Sequence, residues 1–260
     1  MMRADGINRG MRVSALGVCA ALALCITAAS CGMAVGAARS SAVSPQVIAR
    51  DRALAERALL RERDFPSGYS GGVRNGEQEE ASGVNSLLHT AAVSCLHVNV
   101  ASVTHKTRVT VWSGEFVENK EEGTSDGYVH IENTVTVEST LAAAKTWFSI
   151  LAGRRAASCI GEALRTAFLD GSPGLRDPGN SVSRASIELL DLPRFGEQSV
   201  AYRVRVPITA EHGSYITYFD YLLVRKGRAH MALTFEKLDA PVTRKLEQHL
   251  ASETTNRLEG

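Results

Sequence analysis

The second half of the chain contains strand patterns that follow one another at short intervals. Apolar and polar side chains alternate along Gln198–Thr209 and again along Arg228–Glu236. Between these two segments, Tyr215–Arg225 is apolar on both sides, which is typical of a central strand. The pair Lys226 and Gly227 predicts a tight hairpin turn. Because consecutive strands joined by short turns pair antiparallel, this half of the chain predicts an antiparallel sheet.

The first half adds one clear strand and several helices. Val129–Glu138 alternates cleanly, with valines and an isoleucine on one side and mainly polar residues on the other. Apolar stripes at helical spacing predict helices from Leu141 to Leu151 and from Cys159 to Phe168. Further patterns predict a strand within Thr107–Val117, a short strand at Arg184–Leu190 and helices at Val47–Arg63 and Ala240–Arg257. This order predicts an α+β fold with an antiparallel sheet of about five to seven strands and helices packed on one face.

The N-terminus has the layout of a secretory signal. Arginines precede an apolar run, Val13–Ala29, and Cys31 follows directly after small residues. A cysteine at this place resembles a bacterial lipobox, in which the thiol receives lipid and becomes the first residue of the mature protein. We therefore predict a signal peptide at 1–31 with lipidation of Cys31, a flexible tether at 32–47 and a single extracytoplasmic domain at 48–260.

Two other fates of the leader fit the same residues. Val35-Gly36-Ala37 is a small-residue cleavage site for ordinary signal peptidase, which would release a secreted protein that starts at Ala38. Retention as a membrane anchor is the third alternative, although a run of roughly 17 apolar residues is at the short limit for crossing a bilayer.

The five cysteines divide by position. Cys19 and Cys25 lie inside the leader and Cys31 takes the lipid, so Cys95 and Cys159 remain in the mature domain. Two cysteines in an oxidising compartment most simply form one disulfide bond. The alternatives are two separate buried thiols or a metal pair, and no CxxC spacing supports the latter.

Composition and motifs exclude several classes of function. A formal net charge of +1 predicts neither a nucleic-acid partner nor a polybasic membrane patch. The chain contains no GxSxG motif and no phosphate-binding loop, and its acidic turns lack the spacing of a calcium loop. We therefore predict no cofactor and no enzymatic activity, with an envelope hydrolase whose catalytic residues are unrecognised as the alternative.

One set of polar residues is a candidate ligand face. If helices cover one side of the sheet, the other side is expected to carry His130, Glu132, Arg203 and Arg205. His130 and Glu132 lie two residues apart and can reach one ion, but two ligands are too few for a metal site. The spacing therefore favours a polar cross-strand ladder and predicts no metal.

Several segments in order resemble exported actinobacterial lipoproteins and, more distantly, the extracellular sensor domain of a mycobacterial receptor kinase, the PknH-like sensor family. They are ALLRERDFPSGYS, AAAKTWFSIL, FGEQSVAYRV and VRKGRAHMALTF. The resemblance implies an α+β domain with disulfides, a ligand cleft and no enzymatic activity. This chain departs from the family in having one candidate disulfide where the kinase sensor has two.

These observations together predict a membrane-tethered binding or sensor-like module of the bacterial cell envelope. Its expected partners are the membrane, through the lipid on Cys31, and an unknown envelope ligand or protein. The alternatives to a binding module are the envelope hydrolase and a structural partner in an envelope complex.

Overall fold

An antiparallel sheet organises the part of the chain that this computed structural model describes, which is residues 44–71, 95–97, 109–118, 129–211 and 213–258. Nine strands are present in these ranges, and every pairing is antiparallel. In chain order they are β1 (Tyr69–Gly71), β2 (Val109–Trp112), β3 (Phe116–Glu118), β4 (Val129–Val137), β5 (Ser181–Val182), β6 (Ser186–Leu189), β7 (Gln198–Ala210), β8 (Gly213–Lys226) and β9 (Ala229–Leu238).

The long strands β4, β9, β8 and β7 are neighbours and form the centre of the sheet. A tight turn joins β8 to β9, and Gly227 adopts a φ of 55° there, which glycine tolerates at little cost. Short strands extend each side: β2 and β3 both pair with β4, while β5 and β6 both pair with β7. The predicted antiparallel sheet is therefore confirmed, and the strand expected within Thr107–Val117 is divided into β2 and β3 by Ser113–Glu115.

Four α-helices accompany the sheet in the described ranges: α1 (Pro45–Arg57), α2 (Leu141–Leu151), α3 (Arg154–Gly171) and α4 (Arg244–Asn256). The hydroxyl of Thr140 caps α2 by accepting a 3.1 Å hydrogen bond from the Ala143 N–H. Thr243 caps α4 in the same way, so this helix begins later than its apolar stripe predicted. Helix α1 ends at Arg57, earlier than expected, and a 3₁₀ turn at Glu62–Asp64 follows.

The helices lie on both faces of the sheet, so the prediction that they pack on one face is wrong. Helices α1 and α4 pack on one side against β4, β8 and β9, where Leu222 and Val224 are buried. Helices α2 and α3 pack on the other side against β7 and β8, where Tyr221 and Leu223 are buried. Because β8 is apolar on both faces, each face needs a cover that excludes water.

A disulfide bond joins Cys95 to Cys159, with the two Cα atoms 5.6 Å apart. Cys159 lies in the first half of α3 and is buried, whereas Cys95 is exposed. The predicted disulfide is therefore confirmed, and it attaches α3 to the segment around Cys95.

The leader, Cys31 and most of the tether lie outside the described residues, as do residues 72–94, 98–108 and 119–128. The described residues belong to one unit of the chain, 43–260. No helix in this part of the chain is long and apolar enough to cross a membrane. The signal peptide, the lipid and the tether stay predictions.

Candidate functional site

Strand β4 places His130 and Glu132 side by side on the face that α2 and α3 occupy. The register of the sheet sets His130 opposite Glu236 of β9 and opposite Val117 of β3. Glu115 lies in the break between β2 and β3, beside the same histidine. We refer to Glu115, His130, Glu132 and Glu236 as the His130 cluster.

Distances within the His130 cluster centre on the imidazole ring. His130 Nε2 lies 3.8 Å from Glu115 Oε1 and 3.9 Å from Glu132 Oε2, and His130 Nδ1 lies 3.6 Å from Glu236 Oε2. The indole N–H of Trp112 donates a 2.9 Å hydrogen bond to Glu132 Oε2. The side chains of His130 and Glu132 are 8% and 1% exposed, whereas that of Glu115 is 48% exposed. The cluster is thus buried on the sheet and reaches solvent through Glu115.

Burial shifts the protonation equilibria of the central pair. It raises the pKa of Glu132 to about 7, and the charge of His130 and the Trp112 hydrogen bond only partly oppose this shift. Burial opposes the charged form of His130, but the Glu236 carboxylate and the charges of Glu132 and Glu115 outweigh it and raise the pKa of the imidazole. The Glu132 carboxyl therefore changes its protonation state near neutral pH.

The two arginines of the predicted ligand face lie elsewhere. Across the sheet, Glu132 aligns with Thr234 and then with Tyr221, on the α2 and α3 face. Arg203 aligns with Asp220 and Phe235, on the α1 and α4 face. His130, Glu132, Arg203 and Arg205 therefore do not form one surface, and the prediction of a shared ligand face is wrong. The alternation within each strand was predicted correctly. The register between strands, however, decides whether the polar residues of β4 and those of β7 lie on the same face of the sheet.

Arg203 belongs to a buried network of charges. Its guanidinium donates two hydrogen bonds to Asp220, at 2.7 and 2.6 Å, and approaches Glu247 of α4 at 3.4 Å. Burial and the Asp220 charge raise the pKa of Glu247 to about 8, against the opposing charges of Arg203 and Arg244. This network connects α4 to the sheet, so Arg203 has a structural role. Arg205 is exposed, with its guanidinium 5.5 Å from the centre of the Tyr218 ring.

A groove with cationic side chains runs between α1 and the β8–β9 turn. It has a volume of about 790 Å³, and we call it the α1 groove. Its apolar wall includes Ala53, Leu54 and Leu258. Its basic residues are Arg50, Arg57, Lys226 and Arg228, and Glu197 is its one acidic lining residue among those described.

The basic residues of the α1 groove differ in how they are paired. Arg228 donates hydrogen bonds to Asp51 at 2.5 and 3.0 Å, so its charge is largely compensated. Arg50 and Arg57 are exposed and form no ion pair with a carboxylate in the described ranges. Both arginines line the α1 groove.

A second depression of about 670 Å³ adjoins the groove at Glu197 and adds to the positive charge at this end of the sheet. Its basic lining residues are Lys145, Arg194 and Arg225. Arg225 is buried and paired with Glu197 at 2.7 Å. The overall charge of +1 concealed this concentration, because the acidic residues that balance it lie in other parts of the chain.

No family model matches the chain, and no curated protein matches it. Among solved structures, LpqN, involved in cell envelope biogenesis of Mycobacterium tuberculosis, shares 10% sequence identity at a TM-score of 0.25, and the match covers 57% of this chain and 80% of that one. The lipid transfer and protein localization domain of human StarD13 shares 9% identity at a TM-score of 0.16, with coverage of 62% and 93%. Similarity at this level assigns no family, so the resemblance to the PknH-like sensors stays a prediction.

Proposed function

We propose that the chain is a membrane-tethered binding module outside the cytoplasmic membrane, and that it binds an anionic amphiphile in the α1 groove. The observation that carries this proposal is the composition of the groove, in which exposed arginines border an apolar wall. Arginine is well suited to phosphate and carboxylate groups, because its planar fork donates parallel hydrogen bonds. An apolar wall beside such a fork suits a ligand with a hydrocarbon part.

Two features support the location outside the cytoplasm. The leader ends in a lipobox-like segment at Cys31, and the remaining mature-domain cysteines form a disulfide bond. Disulfides persist in oxidising compartments and are rare in the bacterial cytosol. The lipid on Cys31 would keep the domain close to a membrane surface, where amphiphiles are concentrated.

Binding rather than catalysis is our proposal for the role of the domain. The pair of groups most suited to acid–base chemistry in the described residues is His130 and Glu132. Neither of them lines the α1 groove or the depression beside it. An enzyme would be expected to place such a pair where it can reach a substrate.

The lipid anchor is tested by the Cys31→Ser variant in an actinobacterial host. We expect the serine variant to lose its membrane partition or to accumulate as an uncleaved precursor, because serine cannot accept the thioether-linked lipid. Fractionation of cells and medium followed by immunoblotting measures this. Cys25→Ser is the matched control, since Cys25 lies inside the leader and its loss should leave partition unchanged. Membrane partition of Cys31→Ser at the size of the processed parent protein would show that the anchor is wrong.

Ligand binding in the groove is tested with the chain from residue 32 onward and three probes below micellar concentration: dodecyl phosphate, dodecylphosphocholine and inorganic phosphate. We expect dodecyl phosphate to bind most tightly in isothermal titration calorimetry, because only this probe has both a net negative head and a chain. Arg50→Gln and Arg57→Gln should each weaken its binding by roughly tenfold. This is the smallest loss of affinity expected when one charge-assisted hydrogen bond is removed. Ala53→Glu should abolish binding by placing a carboxylate on the apolar wall.

The control for these variants is Arg176→Gln. Arg176 is an exposed arginine that pairs with Asp170 far from the groove, so its replacement should leave the affinity for dodecyl phosphate unchanged. Equal affinity for the anionic and zwitterionic probes, or wild-type affinity in the Arg50→Gln and Arg57→Gln double variant, would refute the proposed ligand class.

A further inference from the structure

We propose that Glu115, His130 and Glu132 form a binding site for a divalent transition-metal ion, with Zn²⁺ as the best-fitting ion. This inference is independent of the ligand proposed for the α1 groove. One imidazole nitrogen and two carboxylate oxygens are a donor set that zinc accepts, whereas calcium and magnesium sites are built from oxygen atoms alone.

The spacing of the donor atoms fits a shared ion. One ligand atom from each residue lies within 4.8 Å of the other two. The distances of 3.8 and 3.9 Å from His130 Nε2 to the Glu115 and Glu132 oxygens are too long for hydrogen bonds. In a tetrahedral site, zinc bonds of about 2.1 Å place two donor atoms roughly 3.4 Å apart, so the side chains have to move slightly closer together to share an ion.

Two neighbouring groups hold the proposed ligands in orientation. Glu236 lies 3.6 Å from His130 Nδ1, which directs the opposite ring nitrogen towards Glu115 and Glu132. The Trp112 indole N–H binds one carboxylate oxygen of Glu132. Metal-binding histidines usually donate their second N–H to a carboxylate, and such outer partners fix the geometry of a site.

Charge and access favour a cation at this place. Three carboxylates surround one imidazole, so a dication would relieve repulsion that burial strengthens. Glu115 is about half exposed and provides a path from solvent to the buried pair. Three protein ligands leave a coordination position open for water or a ligand group.

The experiment uses the untagged chain from residue 32 onward after treatment with a chelator. Zn²⁺ affinity is measured by competition with a chromophoric chelator, and Co²⁺ absorption spectra report the coordination. We expect binding of one ion per chain and a Co²⁺ spectrum of low-coordinate nitrogen and oxygen ligation. The disulfide removes Cys95 and Cys159 as competing thiolates.

The variants separate ligands from orienting groups. Glu115→Gln and His130→Gln should weaken Zn²⁺ binding by at least 100-fold, and Glu236→Gln should weaken it by about 10- to 100-fold. Glu115 is exposed, so its replacement should leave the fold intact even if a change at His130 does not. Glu188→Gln is the matched control, because Glu188 is an exposed carboxylate on β6, distant from the cluster along the sheet, and its loss should change nothing. Absence of one-to-one binding below millimolar Zn²⁺, or wild-type affinity of Glu115→Gln, would overturn the site.

Discussion

The Cys95→Ser variant is expected to unfold with a free energy roughly 4 kcal/mol lower than that of the parent domain. The bond between Cys95 and Cys159 spans 64 residues, and a cross-link of this length removes much of the conformational freedom of the unfolded chain. Cys95 is exposed, so serine at this position adds no strain to the core. Urea denaturation under non-reducing conditions, monitored by circular dichroism, measures the loss.

The control for this prediction uses the second cysteine. Cys159→Ala and the double variant should lose nearly the same stability as Cys95→Ser, because all three remove one and the same bond. Alkaline unfolding followed by thiol titration should detect no free sulfhydryl in the exported parent protein. Two reactive thiols in that protein, or additive losses in the double variant, would contradict the role of the disulfide.

Asp220→Ala is expected to destabilise the domain by about 3–5 kcal/mol. Its carboxylate accepts two hydrogen bonds from Arg203, and both side chains are nearly inaccessible to solvent. Removing Asp220 leaves the largely buried Arg203 charge with only the 3.4 Å contact to Glu247. Breaking a buried ion pair in this way costs far more stability than breaking an exposed pair. Thermal and urea unfolding at pH 7 measure the effect.

Two controls distinguish a buried charge from a general effect of substitution. Asp170→Ala removes the exposed pair with Arg176 and should cost at most about 1 kcal/mol. Replacement of both partners, Arg203→Met with Asp220→Leu, should recover most of the stability that Asp220→Ala loses, since neither member of the pair is then left buried without the other. A loss below 1 kcal/mol in Asp220→Ala would show that the network contributes little.

Glu247→Gln completes this series through its pH dependence. The folded-state pKa of about 8 lies above the ordinary value of 4.5, so the folded protein holds a proton that the unfolded chain releases. This carboxyl therefore lowers stability progressively as the pH rises from about 4.5 to about 8. Glutamine should remove that slope while leaving stability at pH 5 nearly unchanged. Subtracting the pH profile of the stability of Glu247→Gln from that of the parent domain cancels the pH-dependent contributions of His130 and Glu132, which are the same in both proteins.

Much of the fold was predictable because it depends on local patterns. The alternation of β4, the hairpin at Lys226 and Gly227 and the stripes of α2 and α3 each involve residues close in the chain. Period and turn chemistry therefore identify them without knowledge of the tertiary structure. The disulfide was predictable from the predicted compartment, since export would leave Cys95 and Cys159 as the two cysteines of the mature domain.

The site was harder to predict because its members come from separate segments. Glu115 and Glu236 gave no signal in sequence, as they join His130 only through the pairing of β3 and β9 with β4. The polar side of β4 resembled a solvated face, yet His130 and Glu132 are both buried. The cationic end of the sheet was equally hidden, because net charge does not report where charges meet.

The sequence by itself determined the type of each main element, the antiparallel sheet and the disulfide, because each depends on spacing along the chain or on the compartment. Only the tertiary structure decided that helices cover both faces of the sheet and that Arg203 and His130 lie on opposite faces. It also decided that Glu115 approaches His130. The physical reason is strand register: a shift of one residue between neighbouring strands exchanges their faces while leaving every local pattern unchanged.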